Sequence, residues 1–339
     1  MKHRFAFAGF GHGHIDSLYG LVRDSPDIEL AGACEPDEGL RAVAENNGIE
    51  FTHPSYEQML DAVDCDVVAI GAYFGARGAI AIDALRRGKH VIADKPLCIH
   101  LDELEQIEAL AAANDLRVGC MLGMRSTPAV AGVRQLIQRG DLGNIHAITF
   151  GGQHPLNIDI RPGWYFEEGK HGGTINDLFI HAADSIPWAT GLSLATVEAA
   201  RCWNALAPQY PHFEDGAQMM LTMSNGCGVI GDVSYFMPSK GGYSLPYYWR
   251  TTFFGSEGIA EISAVRDLID VTRNGAVVSI EPEAPEPEGY LASFLGDIAG
   301  TASVESMVTA DVFHATRVAL MVQKAADQGE HGVSLTQRP

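Results

Sequence analysis

Gly9-Phe10-Gly11-His12-Gly13-His14 follows a short apolar run and precedes a segment of helical period. In a strand–loop–helix setting Gly9 permits a tight turn, and Gly11 lets the backbone approach a pyrophosphate at the N-terminus of the next helix. Phe10, His12, Gly13 and His14 complete the candidate dinucleotide cradle. The fingerprint is imperfect: its third glycine falls at position 14, where the chain has His14 with an extra Gly13 beside it. Taken alone, such a loop can also be a structural turn. Glu35 ends the second apolar run, where an acid accepts hydrogen bonds from the ribose hydroxyls of a dinucleotide. A carboxylate there repels a 2′-phosphate, and Pro36, Asp37 and Glu38 supply no cation to bind one. NAD is therefore the expected cofactor, with NADP the alternative.

Two further stretches carry chemistry. Gly88-Lys89-His90-Val91-Ile92-Ala93-Asp94-Lys95-Pro96 reads as a strand that ends in an acid, a lysine and a proline. Ligands bind at the carboxyl edge of open α/β sheets, and a lysine there can hydrogen-bond a hydroxyl and favour its ionisation. The plain alternative is an exposed lysine capping a strand. Gly172-Gly173-Thr174-Ile175-Asn176-Asp177-Leu178-Phe179-Ile180-His181-Ala182-Ala183-Asp184 opens a helix behind a glycine turn. Asp177 and His181, four apart, share one helical face, where the carboxylate can fix the imidazole tautomer or join it on a substrate. A simple helix-surface pair explains the same spacing. His12 and His14 lack carboxylate or thiolate neighbours in sequence, so no metal is expected.

These groups need a frame. Up to residue 122 apolar runs at Arg4–Ala8, Ile28–Ala33, Val67–Ile70, His90–Ala93 and Arg117–Leu122 alternate with helical periods at Ile15–Arg23, Glu38–Asn46, Ser55–Val63, Ala79–Arg87 and Leu101–Asn114. The alternation predicts βαβ units and a doubly wound parallel sheet over 1–122. After a helix over Val130–Arg139, strands are expected at Ile145–Gly151, Thr196–Trp203, Gly216–Met223, Gly228–Tyr235, Trp249–Phe254 and Gly258–Ser263, with a hairpin turn at Ser224-Asn225-Gly226. Helices are expected over Thr174–Ile186, stopped by Pro187, and over Met307–Gln328, and a solvated loop over Glu281–Gly289. The second domain, 123–339, thus reads as an α/β unit with a large, mostly antiparallel open sheet.

A formal charge of −20 repels nucleic-acid phosphates, and the most apolar stretch, Val67–Leu85, is broken by Arg77 and Asp83. Neither a nucleic acid nor a membrane is expected as partner. The scattered cysteines, without any C-x-x-C pair, read as buried thiols of a cytoplasmic protein.

Glycine loop, strand-end acid, GKHVIADKP and GGTINDLFIHAAD, in this order, resemble the Gfo/Idh/MocA family of dinucleotide-dependent oxidoreductases. Arg125–Pro128, Gly140-Asp141-Leu142-Gly143 and Gly255-Ser256-Glu257-Gly258 extend the likeness over nearly the whole chain. The resemblance implies a Rossmann domain, a second domain whose open sheet floors the substrate site, and a homodimer or homotetramer built through that sheet. It implies that Lys95 is the active-site lysine, Asp177 the second-domain aspartate and His181 the catalytic histidine. The implied reaction oxidises a secondary alcohol of a polyhydroxylated small molecule: a sugar, sugar acid or inositol. His181 would take the hydroxyl proton and Lys95 stabilise the alkoxide, while Asp177 would either orient His181 or bind a neighbouring hydroxyl. Arg161, Trp164 and Tyr165 are candidate substrate contacts, since a ring can stack on a sugar face and an arginine can grip a carboxylate; Trp164 also fits as a core aromatic.

The chain departs from the family pattern at Ala72-Tyr73-Phe74-Gly75-Ala76-Arg77, where members often carry Thr-Pro-x-x-x-His. Ala72 and Tyr73 are taken as cofactor contacts there, with helix packing an equal account of Tyr73 and Arg77. Asp94 replaces the usual glutamate before the lysine and is given the same positioning role beside the cofactor. Two rival readings share these residues. One is redox-neutral glycoside cleavage or elimination with the dinucleotide as a transient hydride store, and the other is a non-catalytic dinucleotide sensor.

Overall fold

The protein is described by a computed structural model, which covers residues 2–283 and 288–336. The chain divides into two compact units. The first comprises Met1–Leu122, Gly169–Gly172 and Tyr290–Phe313; the second comprises Gly123–Glu168, Gly173–Gly289 and His314–Pro339. The expected range 123–339 thus yields two segments to the first unit. The larger supplies a helix, Tyr290–Ala299, whose Phe294 is buried in that unit's core. Gly119 makes room for it: a Cβ there would fall 2.8 Å from the Phe294 ring.

The first unit is built on a parallel sheet of β1 (His3–Ala8), β2 (Ile28–Cys34), β3 (Val67–Ile70), β4 (His90–Ala93) and β5 (Val118–Cys120). Its order is β2-β1-β3-β4-β5, so the winding reverses between β1 and β3. The expected strands and helices all form, because strands of three to seven largely buried apolar residues can exist only with helices over both faces. Phe7, Phe10, Tyr19 and Phe51 interlock edge to face beneath the first loop.

The second unit contains β6 (Ile145–Pro155), β7 (Leu194–Trp203), β8 (Gly216–Met223), β9 (Gly228–Met237), β10 (Arg250–Gly255), β11 (Ile259–Ser263), β12 (Arg266–Arg273), β13 (Ala276–Ile280) and β14 (Val333–Ser334). They form one sheet ordered β13-β12-β11-β10-β6-β9-β8-β7-β14, antiparallel except for the β6–β9 pair. Burial alternates along β8 and β9: Met219, Leu221, Val229 and Val233 point into the core, while Met220 and Ile230 are about half exposed. A sheet face that packs on helices and another that does not give this period of two.

Three expectations are corrected. The Pro187 stop fails: the helix runs Ile180–Thr190 with Pro187 inside it and ends at Gly191 in the left-handed conformation. The missing N–H costs one bond close to the helix end, where few remain to be lost. The turn before it, Ile175–Phe179, is π-helical and not part of a uniform α-helix. Trp249 is not the first residue of its strand, since β10 begins at Arg250 and Trp249 turns the chain with φ +50°. β12 and β13 escaped notice because neither alternates cleanly: β12 opens on two exposed charges, and β13 is exposed from Ala276 to Ser279, valines included; their hairpin turn, Asn274-Gly275, has positive φ at both residues. Of the expected loop over Glu281–Gly289, residues 284–287 lie outside the described residues.

Candidate active site

In the first unit the glycine loop is a matter of backbone contact. Gly9, with φ +82°, donates its N–H to Cys34 O at 2.9 Å, and Gly11 donates to Gly71 O at 2.8 Å. A Cβ on Gly9 would fall 2.7 Å from Ala72, and one on Gly11 would fall 2.7 Å from the Tyr73 nitrogen. The loops after β1 and β3 therefore touch through bare backbone at the switch point, where open α/β sheets bind ligands. Gly13, just before the His14–Asp24 helix, meets nothing within 4 Å of its absent Cβ. That open approach to a helix N-terminus fits a phosphate. The close helix–strand packing normally granted by a third glycine at position 14 is granted by Gly71, whose absent Cβ would fall 2.5 Å from Ile15.

Glu35 directly follows β2 and is almost wholly buried. Its Oε2 accepts the Phe10 N–H at 2.6 Å and its Oε1 the Asp37 N–H at 2.9 Å, so the acid braces the loop directly. Burial pushes its pKa up, against the pull of these two donors. A carboxylate has about four lone-pair directions, which leaves capacity to accept from hydroxyls as well.

Asp94 is fully buried at the end of β4 and is the centre of a charged cluster. His12 Nδ1 lies 2.7 Å from Oδ2, His14 Nδ1 3.2 Å from Oδ1, and Arg77 Nη2 donates to Oδ2 at 3.0 Å. The carboxylate that sequence adjacency did not offer the two histidines is thus supplied by the fold. It is already compensated by Arg77. Burial works hardest against the Asp94 charge, yet Arg77 and the imidazoles together hold its pKa well below the ordinary value. His12 moves the other way, to about 4, because burial outweighs the attraction of Asp94. It is a neutral donor to the carboxylate at pH 7.

Arg77 is itself fully buried, and its remaining donors reach Ala72 O at 2.8 Å, Lys95 O, and Pro96 O at 3.2 Å. It ties the strand-end segment to the loop after β3, which settles its role in favour of structure. Lys95 is not an exposed cap: the residue is 3% exposed, with Nζ 5.7 Å from the Phe74 ring centroid. Tyr73 precedes the Phe74–Arg86 helix, and the Lys170 ammonium lies over its ring at 5.1 Å.

In the second unit Asp177 lies in the π-helical turn, and His181 lies one turn on in the α-helix that continues it. The Ile175 and Asn176 N–H groups at the start of that turn donate to Gln323 Oε1 at 2.9 and 3.3 Å. Gly173 leaves room for the Gln323 amide. The Tyr235 hydroxyl, from β9, donates to Asp177 Oδ2. Burial first, and the Asp177 charge second, push the Tyr235 pKa well up, so the phenol stays protonated. His181 packs on Trp249 with ring centroids 4.8 Å apart. Downstream in the same helix, buried Asp184 is gripped by Arg125 through two contacts of 3.0 and 2.5 Å.

Of the other expected contacts, Arg161 donates to Leu156 O at 2.7 Å and Pro155 O at 3.0 Å, and its guanidinium lies over Tyr165 and Tyr235. Trp164 and Tyr165 are buried and packed on each other, centroids 4.2 Å apart. Sequence reasoning missed Tyr235, His154, Tyr243, Tyr248 and Trp249. The signal for the last three was present: four aromatics crowd into Tyr243–Trp249, a segment that also holds serine and proline.

Residues 3–122 match the model of the oxidoreductase family with an NAD-binding Rossmann fold, and residues 130–261 match the GFO/IDH/MocA C-terminal domain. The chain belongs to the Gfo/Idh/MocA family. As a Gfo/Idh/MocA protein it is an oxidoreductase-family chain with an NAD-binding first domain. It is 25% identical to the scyllo-inositol 2-dehydrogenase (NAD(+)) of Bacillus subtilis over 272 residues, 78% of this chain and 76% of that one. Levoglucosan dehydrogenase of Pseudarthrobacter phenanthrenivorans is 27% identical over 213 residues, 61% of this chain but only 53% of that relative's length. An inositol dehydrogenase homologue of Azotobacter vinelandii, solved with NAD+, has the same fold at TM-score 0.80 and 18% identity, with 98% of this chain and 97% of that one covered. Among the described residues no helix is long and apolar enough to cross a membrane.

Proposed function

We propose that this protein oxidises a secondary alcohol of a sugar or inositol, with Lys95, Asp177 and His181 as its catalytic groups. The observation that carries this reading is that each unit buries polar chemistry where its fold binds ligands. Lys95 is 3% exposed at the carboxyl end of β4, beside a glycine loop shaped for phosphate. Asp177 is buried on a helical turn of irregular geometry, a form frequent at functional sites, and His181 is buried in the first turn of the α-helix that continues it. The names of the relatives, for scyllo-inositol and levoglucosan, support the substrate class.

NAD, when bound, supplies the acceptor for the carbinol hydride. It would be held by the N–H groups of the Gly9–Gly13 loop, the Glu35 carboxylate, and Ala72 and Tyr73. His181 then takes the hydroxyl proton at Nε2, its Nδ1 being enclosed by protein. Lys95 is given the part of stabilising the developing alkoxide. Tyr235 keeps Asp177 in place, and Asp177 accepts from a neighbouring hydroxyl of the substrate. Asp94 stays ionised and fixed by Arg77, and so holds the segment that bears Lys95. Self-association through the open sheet face, where Met220 and Ile230 are each 49% exposed, accompanies this reading.

The test is a screen of polyols and aldoses with NAD and NADP, followed by absorbance of the reduced cofactor. Lys95→Met and His181→Asn, each folded, are expected to lower kcat by roughly a hundred- to ten-thousand-fold. Turnover near the parent's in either variant rejects the assignment, and a preference for NADP rejects the role given to Glu35.

A further inference from the structure

Trp249 carries a backbone conformation that a bulky side chain seldom adopts, with φ +50°. Its surroundings hold it there. Ser263 Oγ donates to Pro246 O at 3.1 Å and to Tyr248 O at 3.2 Å, and the Ala264 N–H donates to Trp249 O at 3.3 Å. The indole lies where Gly152 leaves space, since a Cβ on that residue would fall 2.5 Å from the Trp249 ring. Strain that the neighbouring structure over-determines in this way gathers at ligand clamps. The ring meets two imidazoles, His181 at 4.8 Å and His154 at 4.9 Å between centroids.

His154 extends the wall. Near the end of β6, it is ringed by Tyr248 at 5.1 Å, Tyr243 at 5.8 Å and Tyr235 at 6.4 Å, the last being the tyrosine that donates to Asp177. Its Nδ1 is 3.3 Å from Gly152 O. Tyr243 is 48% exposed and Tyr248 partly so, which gives the wall an open side.

Among the described residues of the second unit, Arg161 is the cation that lies over Tyr165 and Tyr235, and it is committed elsewhere. Two of its nitrogens donate to the Leu156 and Pro155 carbonyls, while its flat faces lie over Tyr165 and Tyr235 at 4.5 and 5.0 Å. Asp177 adds a buried negative charge to the same cluster. A ligand carboxylate entering here meets Asp177 without a guanidinium free to pair with it. A neutral ring has better partners: rings for its C–H face, and phenol, carboxylate and imidazole groups for its hydroxyls.

We infer that the second unit binds a neutral ring polyol, whose C–H face packs on Tyr243, Tyr248 and Trp249, and that it discriminates against sugar acids. This rests on the oxidation proposed above and narrows its substrate class.

Matched pairs test it: glucose against glucuronate, and inositol against an inositol phosphate, by turnover with NAD and separately by isothermal titration of the full chain. A kcat/KM at least tenfold higher for the neutral member of each pair is expected. Tyr248→Leu and Tyr243→Leu, on the open side and tolerable to the fold, should raise KM by about tenfold with little change in kcat. Trp249→Ala should raise KM further, with partial rescue by Trp249→Phe. Equal or better use of the acid overturns the inference, as does an unchanged KM in both tyrosine variants. Titration keeps the two readings distinguishable. Selective binding of the neutral ring without turnover sustains this site and rejects the oxidation, whereas binding of the acid as tightly as the neutral ring rejects this site alone.

Discussion

Replacing Arg77 by Met tests the framework around Lys95 most directly. The guanidinium is fully buried and holds four groups: Asp94 and the carbonyls of Ala72, Lys95 and Pro96. Its loss strands a fully buried carboxylate, a change that costs about 3–5 kcal/mol. Each carbonyl left without a donor adds about 1–3 kcal/mol where no water replaces it. The sum, roughly 5 kcal/mol or more, rivals the whole stability of a typical domain. At about 2–4 °C per kcal/mol the first unit should melt roughly 10–20 °C lower. Every tryptophan of the chain, residues 164, 188, 203 and 249, belongs to the second unit, so indole emission does not follow this loss. Calorimetry with hydrogen exchange of β1, β3 and β4 peptides does. Adding Asp94→Asn to Arg77→Met should recover part of the deficit, because the stranded charge is gone. A melting point within about 2 °C of the parent, with unchanged exchange, refutes the claim that Arg77 holds this framework together.

Three further outcomes follow from the same geometry. Phe294→Ala, made about 170 residues beyond β5 in sequence, should destabilise the first unit by about 3–5 kcal/mol; exchange that quickens only in second-unit peptides would contradict its membership of that core. Gly11→Ala should abolish tight NADH binding in a fluorescence titration, since the new Cβ would fall 2.7 Å from the Tyr73 nitrogen, while Gly13→Ala, with nothing within 4 Å, should bind as the parent does; equal affinities in the two variants count against the cradle. His12 has its folded pKa lowered to about 4 from the ordinary 6.5, so the unfolded chain holds the extra proton between these values. Stability is full above about 6.5 and falls as pH drops toward 4, by about 3 kcal/mol in all, and His12→Asn should flatten urea midpoints across that window.

What the sequence disclosed and what it hid divide along physical lines. The parallel sheet was legible because β3 and, after His90, β4 are short apolar runs flanked by glycine, and such strands are buried on both faces in a parallel sheet. The loop residues Gly9 and Gly11 were legible because their backbone contacts admit no side chain. Position 14 misled, since the space it lacks is provided by Gly71, a residue distant in sequence that the fold sets against Ile15. Asp94 was read as a positioning carboxylate without the partners that make it one, because His12, His14 and Arg77 come from a loop and two helices distant from it in sequence. Tyr235 looked like an ordinary strand residue, and nothing local marks its hydroxyl as the partner of an aspartate 58 positions earlier. Tertiary pairing of polar groups has no period, so it leaves no pattern for periodicity to find.

The places where local rules are broken also separate structure from function. Asp115, Asn157 and Asn274 have positive φ, but aspartate and asparagine tolerate that region through bonds of their short side chains to the backbone, and each sits in a turn. Trp249 has no such excuse. Its conformation is maintained by Ser263 and Ala264, and its indole is admitted by Gly152 and directed at two imidazoles. The π-helical turn at Ile175–Phe179 likewise departs from the regular helix that follows it, and it carries Asp177. Sequences agree with their folds locally except where chemistry demands otherwise. Two such exceptions in one unit are joined through the Trp249–His181 contact, one helical turn beyond Asp177, and the site proposed for the second unit rests on that conjunction.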